Sequence, residues 1–205
     1  MSSLVTIDQL GADEDVGQLV GALSLAFQNY PVMKRAFDGS PGDRLDWIRR
    51  LITLSAQSRQ TLGRPTPVAR VGDRIVAGAN VMFAGQLTDD TQPSWFDEFL
   101  KEAGPSAQDF FPRFIAATES VKLPEPHTYL IMLGVHPEFQ GQGIGKKIIE
   151  QVEAMSRAIP GCKGVGLDTE EAENVKIYES CGFTVHGESS VDDLPVWVLW
   201  RPIEI

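Results

Sequence analysis

Tyr129-Leu130-Ile131-Met132-Leu133-Gly134-Val135, followed at once by His136-Pro137-Glu138-Phe139 and then by Gln140-Gly141-Gln142-Gly143-Ile144-Gly145-Lys146, is the stretch on which the fold turns. Its first seven residues form a near-continuous apolar run, the pattern of a central strand buried on both faces. Beyond the glycines, Ile148, Ile149, Val152, Met155 and Ile159 recur at helical spacing until Pro160-Gly161 stops the stripe. A helix that opens directly after a strand leaves several backbone N–H groups without partners, and its dipole puts positive potential on the same spot. The turn is therefore built to hold an anion. Glycines let the main chain approach a phosphate and take up turns closed to other residues, and Lys146 and Lys147 add charge. A diphosphate is the guest this chemistry suits.

Spacing separates the phosphate loops that compete for such a turn. A Walker loop needs four residues between its first glycine and a Gly-Lys pair, then Ser or Thr. Here three residues separate Gly141 from Gly145, and Lys147 follows Lys146. A dinucleotide fingerprint needs GxGxxG in an opening βαβ unit, whereas this chain has GxGxG late in its length.

Outward from that centre the elements alternate. Upstream, Leu4 to Ile7 reads as a short strand, and Val16, Leu19, Val20, Leu23 and Phe27 mark a helix that begins near Asp13. Leu45, Ile48, Leu51 and Ile52 mark a second helix that starts near Asp43 and fades before Gly63. Val68 to Val71 and Ile75 to Phe83 form a hairpin around Gly72-Asp73. The connection from about residue 84 to 126 is too long for a structureless loop, and it reads as a helical insertion: Trp95, Phe96, Phe99 and Leu100 on one helix, Phe110, Phe114 and Val121 on another. Downstream come a strand at Gly164 to Leu167, a helix at Glu171 to Ser180, a strand at Gly182 to Val185, and Pro195 to Trp200 ending the sheet. This alternation implies parallel pairing in the carboxy-terminal half beside the antiparallel hairpin, in a mixed α/β sheet flanked by helices.

Composition narrows the function. The 205 residues suit one domain, residues 1–205, and 42% hydrophobic with 22% charged residues is ordinary for a globular protein. A net charge of −10 argues against nucleic-acid binding, which needs a basic face; solubility accounts for the excess acid, and any role beyond that would be a weak field drawing in a cationic ligand. The amino terminus lacks the basic start and apolar run of a secretion signal, and no window has the length of a membrane span. A cytoplasmic protein without membrane partners is expected. Cys162 and Cys181 have neither zinc nor redox spacing, and His136 and His186 lack ligand-like neighbours, so free thiols and no metal are expected.

Gln140, Gly143 and Gly145 match Q/R-x-x-G-x-G/A after an apolar strand, and Asn174 to Phe183 matches N-x-x-x-Y-x-x-x-G-F. Together, in this order, they resemble the two signatures of the GNAT superfamily of acyl-coenzyme A-dependent N-acetyltransferases. The resemblance is carried by Tyr129 to about Trp200. It implies a central mixed sheet of six or seven strands and acetyl-coenzyme A as cosubstrate, held by Leu133, Gly134, Val135, Gln140, Gly141, Gln142, Gly143, Ile144, Gly145, Lys146, Asn174 and Tyr178. It also implies direct attack of a primary amine on the thioester, with the Tyr178 phenol supplying the proton for the leaving thiolate.

The base is less legible. Many members of the superfamily carry a Glu on the strand leading to the loop, yet this strand holds none. His127, just before the strand, is the candidate because histidine is a common acid–base side chain, with Glu119, Glu125 or a water chain as alternatives. The acceptor reads as a small-molecule amine, with a protein or peptide amino group as the alternative. A noncatalytic acyl-coenzyme A-binding module is the competing class, and the exposed sheet edge of such folds allows a homodimer.

Overall fold

The computed structural model describes residues 4–85 and 94–203. Part of the insertion at 84–126, residues 86–93, lies outside them. The element order is β1 (Val5–Gln9), α1 (Gly17–Phe27), α2 (Pro31–Phe37), α3 (Arg44–Thr61), β2 (Pro67–Val71), β3 (Arg74–Met82), α4 (Ser94–Ala103), α5 (Pro105–Ser120), β4 (Thr128–Val135), α6 (Ile144–Arg157), β5 (Gly164–Thr169), α7 (Ala172–Ser180), β6 (Thr184–Val191) and β7 (Leu194–Pro202). The strands form one seven-stranded sheet in the order β1-β2-β3-β4-β5-β7-β6.

Local chemistry sets the ends of the helices. The Asp43 carboxylate accepts the Leu45 N–H and opens α3, and Pro31 follows an extended Tyr30 to open α2. α2 has only seven residues, too few for its buried Val32, Met33, Ala36 and Phe37 to register as a helical stripe. It is therefore invisible to a periodicity reading. Its energy comes from packing: Phe37, 1% exposed, meets Phe99 of α4 and Phe111 of α5.

The two faces of the sheet carry different layers. One face is covered by α1, α2, α3 and the insertion helices α4 and α5, with Leu19, Ile48, Phe99 and Met132 in its core. The other is covered by α6 and α7, with Leu130, Leu133, Ile148, Val165, Leu167 and Tyr178.

Two expectations are corrected. Parallel pairing in the carboxy-terminal half is limited to β4 with β5, because β6 and β7 close an antiparallel hairpin at Asp192, whose φ is 54°, and β7 slots between β5 and β6. The strand after Gly182 thus runs on to Val191 and takes the edge, while β7 lies inside the sheet. Nor is β4 buried on both faces throughout: Leu130 is 3% exposed, but Ile131 is 45% exposed and Leu133 half-buried. The reason is topological. β4 and β5 pair only from Thr128–Val165 to Leu130–Leu167 and then part, so the apolar run that suggested a fully enclosed strand lines an opening.

Candidate functional site

The parting of β4 from β5 creates a slot whose walls are Ile131 to Val135 on one side and Asp168 to Glu170 on the other. A bulge helps to make it. Asn80 faces Met132 while Val81 faces Leu130, so Ile131 is an extra residue in β4. Past this residue the side chains change face: Leu130 lies with α6 and α7, Met132 on the opposite layer, and Leu133 again beside α6.

Main-chain groups point into the slot for a definite reason. The His136 N–H donates to Val76 O at 2.8 Å, which makes Ala77–Val135 and Ala79–Leu133 the pairs that exchange no hydrogen bonds with β3. The N–H and C=O groups of Leu133 and Val135 therefore face the open edge. Val135 O accepts from the Gln140 amide at 3.0 Å, which ties the glycine turn back to the strand.

The turn itself has the form expected of an anion cradle. Gly141 and Gly143 both sit at φ 73°, in the left-handed region that favours glycine, and Gly143 stands at the N-cap of the 14-residue α6 without any side-chain cap. Among the described residues, no protein acceptor meets the backbone N–H groups from Gly141 to Lys146; the first regular bond is Lys147 N–H to Gly143 O at 3.2 Å. Gly141, Gln142, Gly143, Lys146 and Lys147 are exposed, and Ile144 is buried beneath them. This set fits a diphosphate bound through the main chain and the helix dipole.

At the far end of the slot, α7 brings Tyr178 and Asn174 to the α6 side. Tyr178 packs edge-on against Phe183 with ring centroids 5.9 Å apart. Burial first, then the neighbouring carboxylates Asp168 and Glu170, hold its phenol above the usual tyrosine range, so it keeps its proton at neutral pH. The Asn174 amide donates to Thr169 Oγ1 at 3.3 Å and to Glu171 at 3.1 Å, which braces the start of α7 against the end of β5.

The opposite face of the same slot is acidic. Tyr129 of β4 donates its phenol to Asp168 at 2.5 Å. Glu170, 5% exposed, follows two residues later, and its backbone N–H donates to the Tyr30 hydroxyl at 3.2 Å, while that hydroxyl lies 3.0 Å from Thr169 Oγ1. Burial, and next the charge of Asp168, push the Glu170 carboxyl up to about 9; burial also raises Asp168. Leu123 lies over Gly166, where any side chain would collide with it, and Val121 packs on Gly187, so the chain leaving α5 roofs this face. Sequence reasoning did not single out Tyr30, Asp168 or Glu170. The available signal was an acidic run, Asp168-Thr169-Glu170-Glu171, beginning inside an apolar strand.

Other sequence candidates lie elsewhere. His127 is buried at the closed end of β4, 3.2 Å from Glu125 and between the rings of Tyr129 and Trp200. Four residue steps along the chain, roughly 13 Å, separate it from Ile131 at the slot. Glu119 and Glu125 are both exposed. Cys162 and Cys181 are free and buried. A hollow of about 540 Å³ beside α1, lined by Gln18, Ala22, Arg74 and His136, is lined by none of the slot residues, and its Arg74 is engaged by Glu138 and the Phe139 ring. No helix among the described residues is long and apolar enough to cross a membrane.

Comparison with known proteins follows the same lines. The Acetyltransferase (GNAT) family model matches residues 67–183, more than half of the chain. The 5-NmdU N-acetyltransferase of Pseudomonas phage PaMx11 is 41% identical over 76 residues, 37% of this chain and 51% of that protein, so the chain spans about half the length of that relative. The peptidyl-lysine N-acetyltransferase YjaB of Salmonella typhimurium is 28% identical over 116 residues, 52% of this chain and 75% of that protein. Among solved structures, arylalkylamine N-acetyltransferase 2 of Aedes aegypti shares the fold with a TM-score of 0.68 at 17% identity, covering 98% of this chain and 99% of that one.

Proposed function

The chain belongs to the GNAT acetyltransferase family, and from that premise we propose that it transfers an acetyl group from acetyl-coenzyme A to the primary amine of a small molecule. The observation that carries the reading is the parting of β4 from β5 between a cradle of free N–H groups and a protonated phenol.

In this reading the N–H groups of residues 141–146 hold the diphosphate, with Lys146 near it, and the main chain of Leu133 and Val135 lies along the pantetheine arm. An N–H on that open edge donates to the thioester oxygen and stabilises the oxyanion as the amine attacks. Asn174 positions the start of α7. Tyr178, on the α6 side, gives its proton to the departing sulfur and regains one from the nitrogen that becomes the amide. The acceptor approaches from the other face, beneath the roof formed by Val121 and Leu123. That roof supports a small amine over a polypeptide, because an extended chain needs an open groove.

A panel of primary amines incubated with acetyl-coenzyme A, with released thiol as the readout, tests the proposal. Thiol release that depends on a small amine is expected. Coenzyme binding with no thiol released across the panel, or release only with lysine-containing peptides, would replace it with a binding module or a peptide acetyltransferase.

A further inference from the structure

The mechanism above leaves a buried acidic group unused. An amine reaches the enzyme mainly as an ammonium ion, and it must lose a proton before it can attack; the strand that supplies a carboxylate in many relatives holds none here. Across the slot, however, Asp168 and Glu170 stand within hydrogen-bonding reach of each other on the acceptor face. Glu170 is 5% exposed, and its Oε1 is enclosed with no hydrogen-bond partner among the described residues. The groups that face it are Tyr30 from the start of α2, Tyr129 of β4, Asp168 of β5, and Glu171 and Tyr178 of α7, with Glu119 of α5 acting on Tyr129. None of these is a cation. A buried carboxyl pair without a counter-ion, with one oxygen lacking a partner, is costly to ionise unless a positively charged ligand completes it.

We propose that Glu170, paired with Asp168, is the base that receives the proton of the acceptor ammonium. The proposal rests on the acetyl-transfer reading and gives its acceptor side a chemistry: a primary alkylammonium. As the ammonium enters, Glu170 gives its resting proton to solvent and the two form an ion pair. The N–H bond of the ammonium then breaks and an O–H bond forms on the Glu170 carboxylate, the neutral amine attacks the thioester carbon, the carbon–sulfur bond breaks, and Tyr178 protonates the sulfur. The second amine proton restores Tyr178, and Glu170 is left protonated as it began, so one proton is released per turnover. A carboxyl whose proton affinity is raised toward that of an amine suits this exchange, since transfer between matched groups needs little driving force. Tyr129 and Tyr30 position the pair through Asp168 and the Glu170 main chain.

The test uses the whole chain and its Glu170→Gln variant, with two readouts. Infrared difference spectra of protein carrying carboxyl-labelled glutamate follow the Glu170 acid band from about pH 6 to about pH 10, without and with n-butylamine, and need no turnover. The expected band is present at neutral pH, absent from the variant, lost near pH 9, and displaced by the amine. A glutamate already ionised at pH 6, or a band indifferent to the amine, overturns the proposal even if the variant does not fold. In the second readout, the best acceptor of the amine panel and its β,β-difluorinated analogue, a far weaker base, are compared. Glu170→Gln is expected to lower kcat/KM about 10²- to 10⁴-fold for the first and less than about tenfold for the second, which arrives already neutral. Equal losses overturn the proposal. A wild type that turns over no amine refutes the acetyl-transfer reading instead, and the infrared titration still decides the fate of Glu170.

Discussion

Replacing Tyr178 with phenylalanine removes one oxygen and one proton from the slot and little else. The ring keeps its edge-on packing with Phe183 at 5.9 Å, and among the described residues no group receives a hydrogen bond from the hydroxyl. Folding should therefore change by less than about 1 kcal/mol, or about 2–4 °C in Tm for a chain of this size. The chemical step should suffer much more. Loss of a positioned proton donor lowers a rate by about 10²–10⁴-fold, which at about 1.4 kcal/mol per decade is about 3–5.5 kcal/mol of barrier. Coenzyme A affinity should stay within about threefold, because the N–H cradle at 141–146 is untouched. The assay is thiol release under saturating acetyl-coenzyme A, beside calorimetric titration of coenzyme A and a thermal melt. A kcat within about threefold of wild type, with Tm and coenzyme affinity unchanged, would refute the role of the phenol as proton donor.

Three further outcomes are expected. Gly143→Ala places a side chain at φ 73° with no atom nearby to clash, so the backbone strain costs about 1–2 kcal/mol; the new methyl intrudes on the cradle, and calorimetry should show coenzyme A binding weakened at least about tenfold, unchanged affinity counting against the site. An acid that binds its proton more tightly in the folded than in the unfolded chain stabilises fully below its ordinary value and loses that contribution as pH rises through the folded one. For Glu170 the window is about 4.5 to about 9, so the wild type should lose on the order of a few kcal/mol of stability across it, seen as a falling Tm, and Glu170→Gln should flatten the profile. A Tm that rises over this window would oppose the reading of a neutral buried acid. Phe99→Ala, at a site 1% exposed among Phe37, Trp47, Trp95 and Phe96, should cost about 3–5 kcal/mol and lower Tm by about 10 °C, measured by calorimetry.

What the residues disclosed on their own was the part of the molecule governed by local rules. The glycine turn, the stripe of α6 and the helix carrying Tyr178 are written in contiguous residues whose spacing or backbone freedom is diagnostic. The Gly72-Asp73 hairpin and the aromatic helices of the insertion were legible for the same reason. Long-range pairing was not. Nothing local tells β6 to fold back on β7 instead of joining β5 in parallel, and nothing in seven apolar residues tells β4 to leave β5 at Ile131. The acceptor face was hidden likewise, because Tyr30, Tyr129, Asp168 and Glu170 are scattered over 140 positions and meet only when α2, β4 and β5 converge. His127 drew notice by residue type, whereas the structure encloses it at the other end of the strand.

The extra residue in β4 has a consequence for how such a molecule can change. Because Ile131 rotates the strand's alternation, Tyr129 contributes its side chain to one layer while Leu133 and Val135 contribute theirs to the other. One short ribbon of backbone thus serves two partners through opposite sides. On the acetyl-transfer reading, substitutions at 129, 168 or 170 fall on the acceptor wall and should leave the main-chain grip on the acetyl donor in place. Deleting residue 131 would do the reverse of a mild change: every later side chain would swap sides at once, and donor and acceptor would lose their separate walls together.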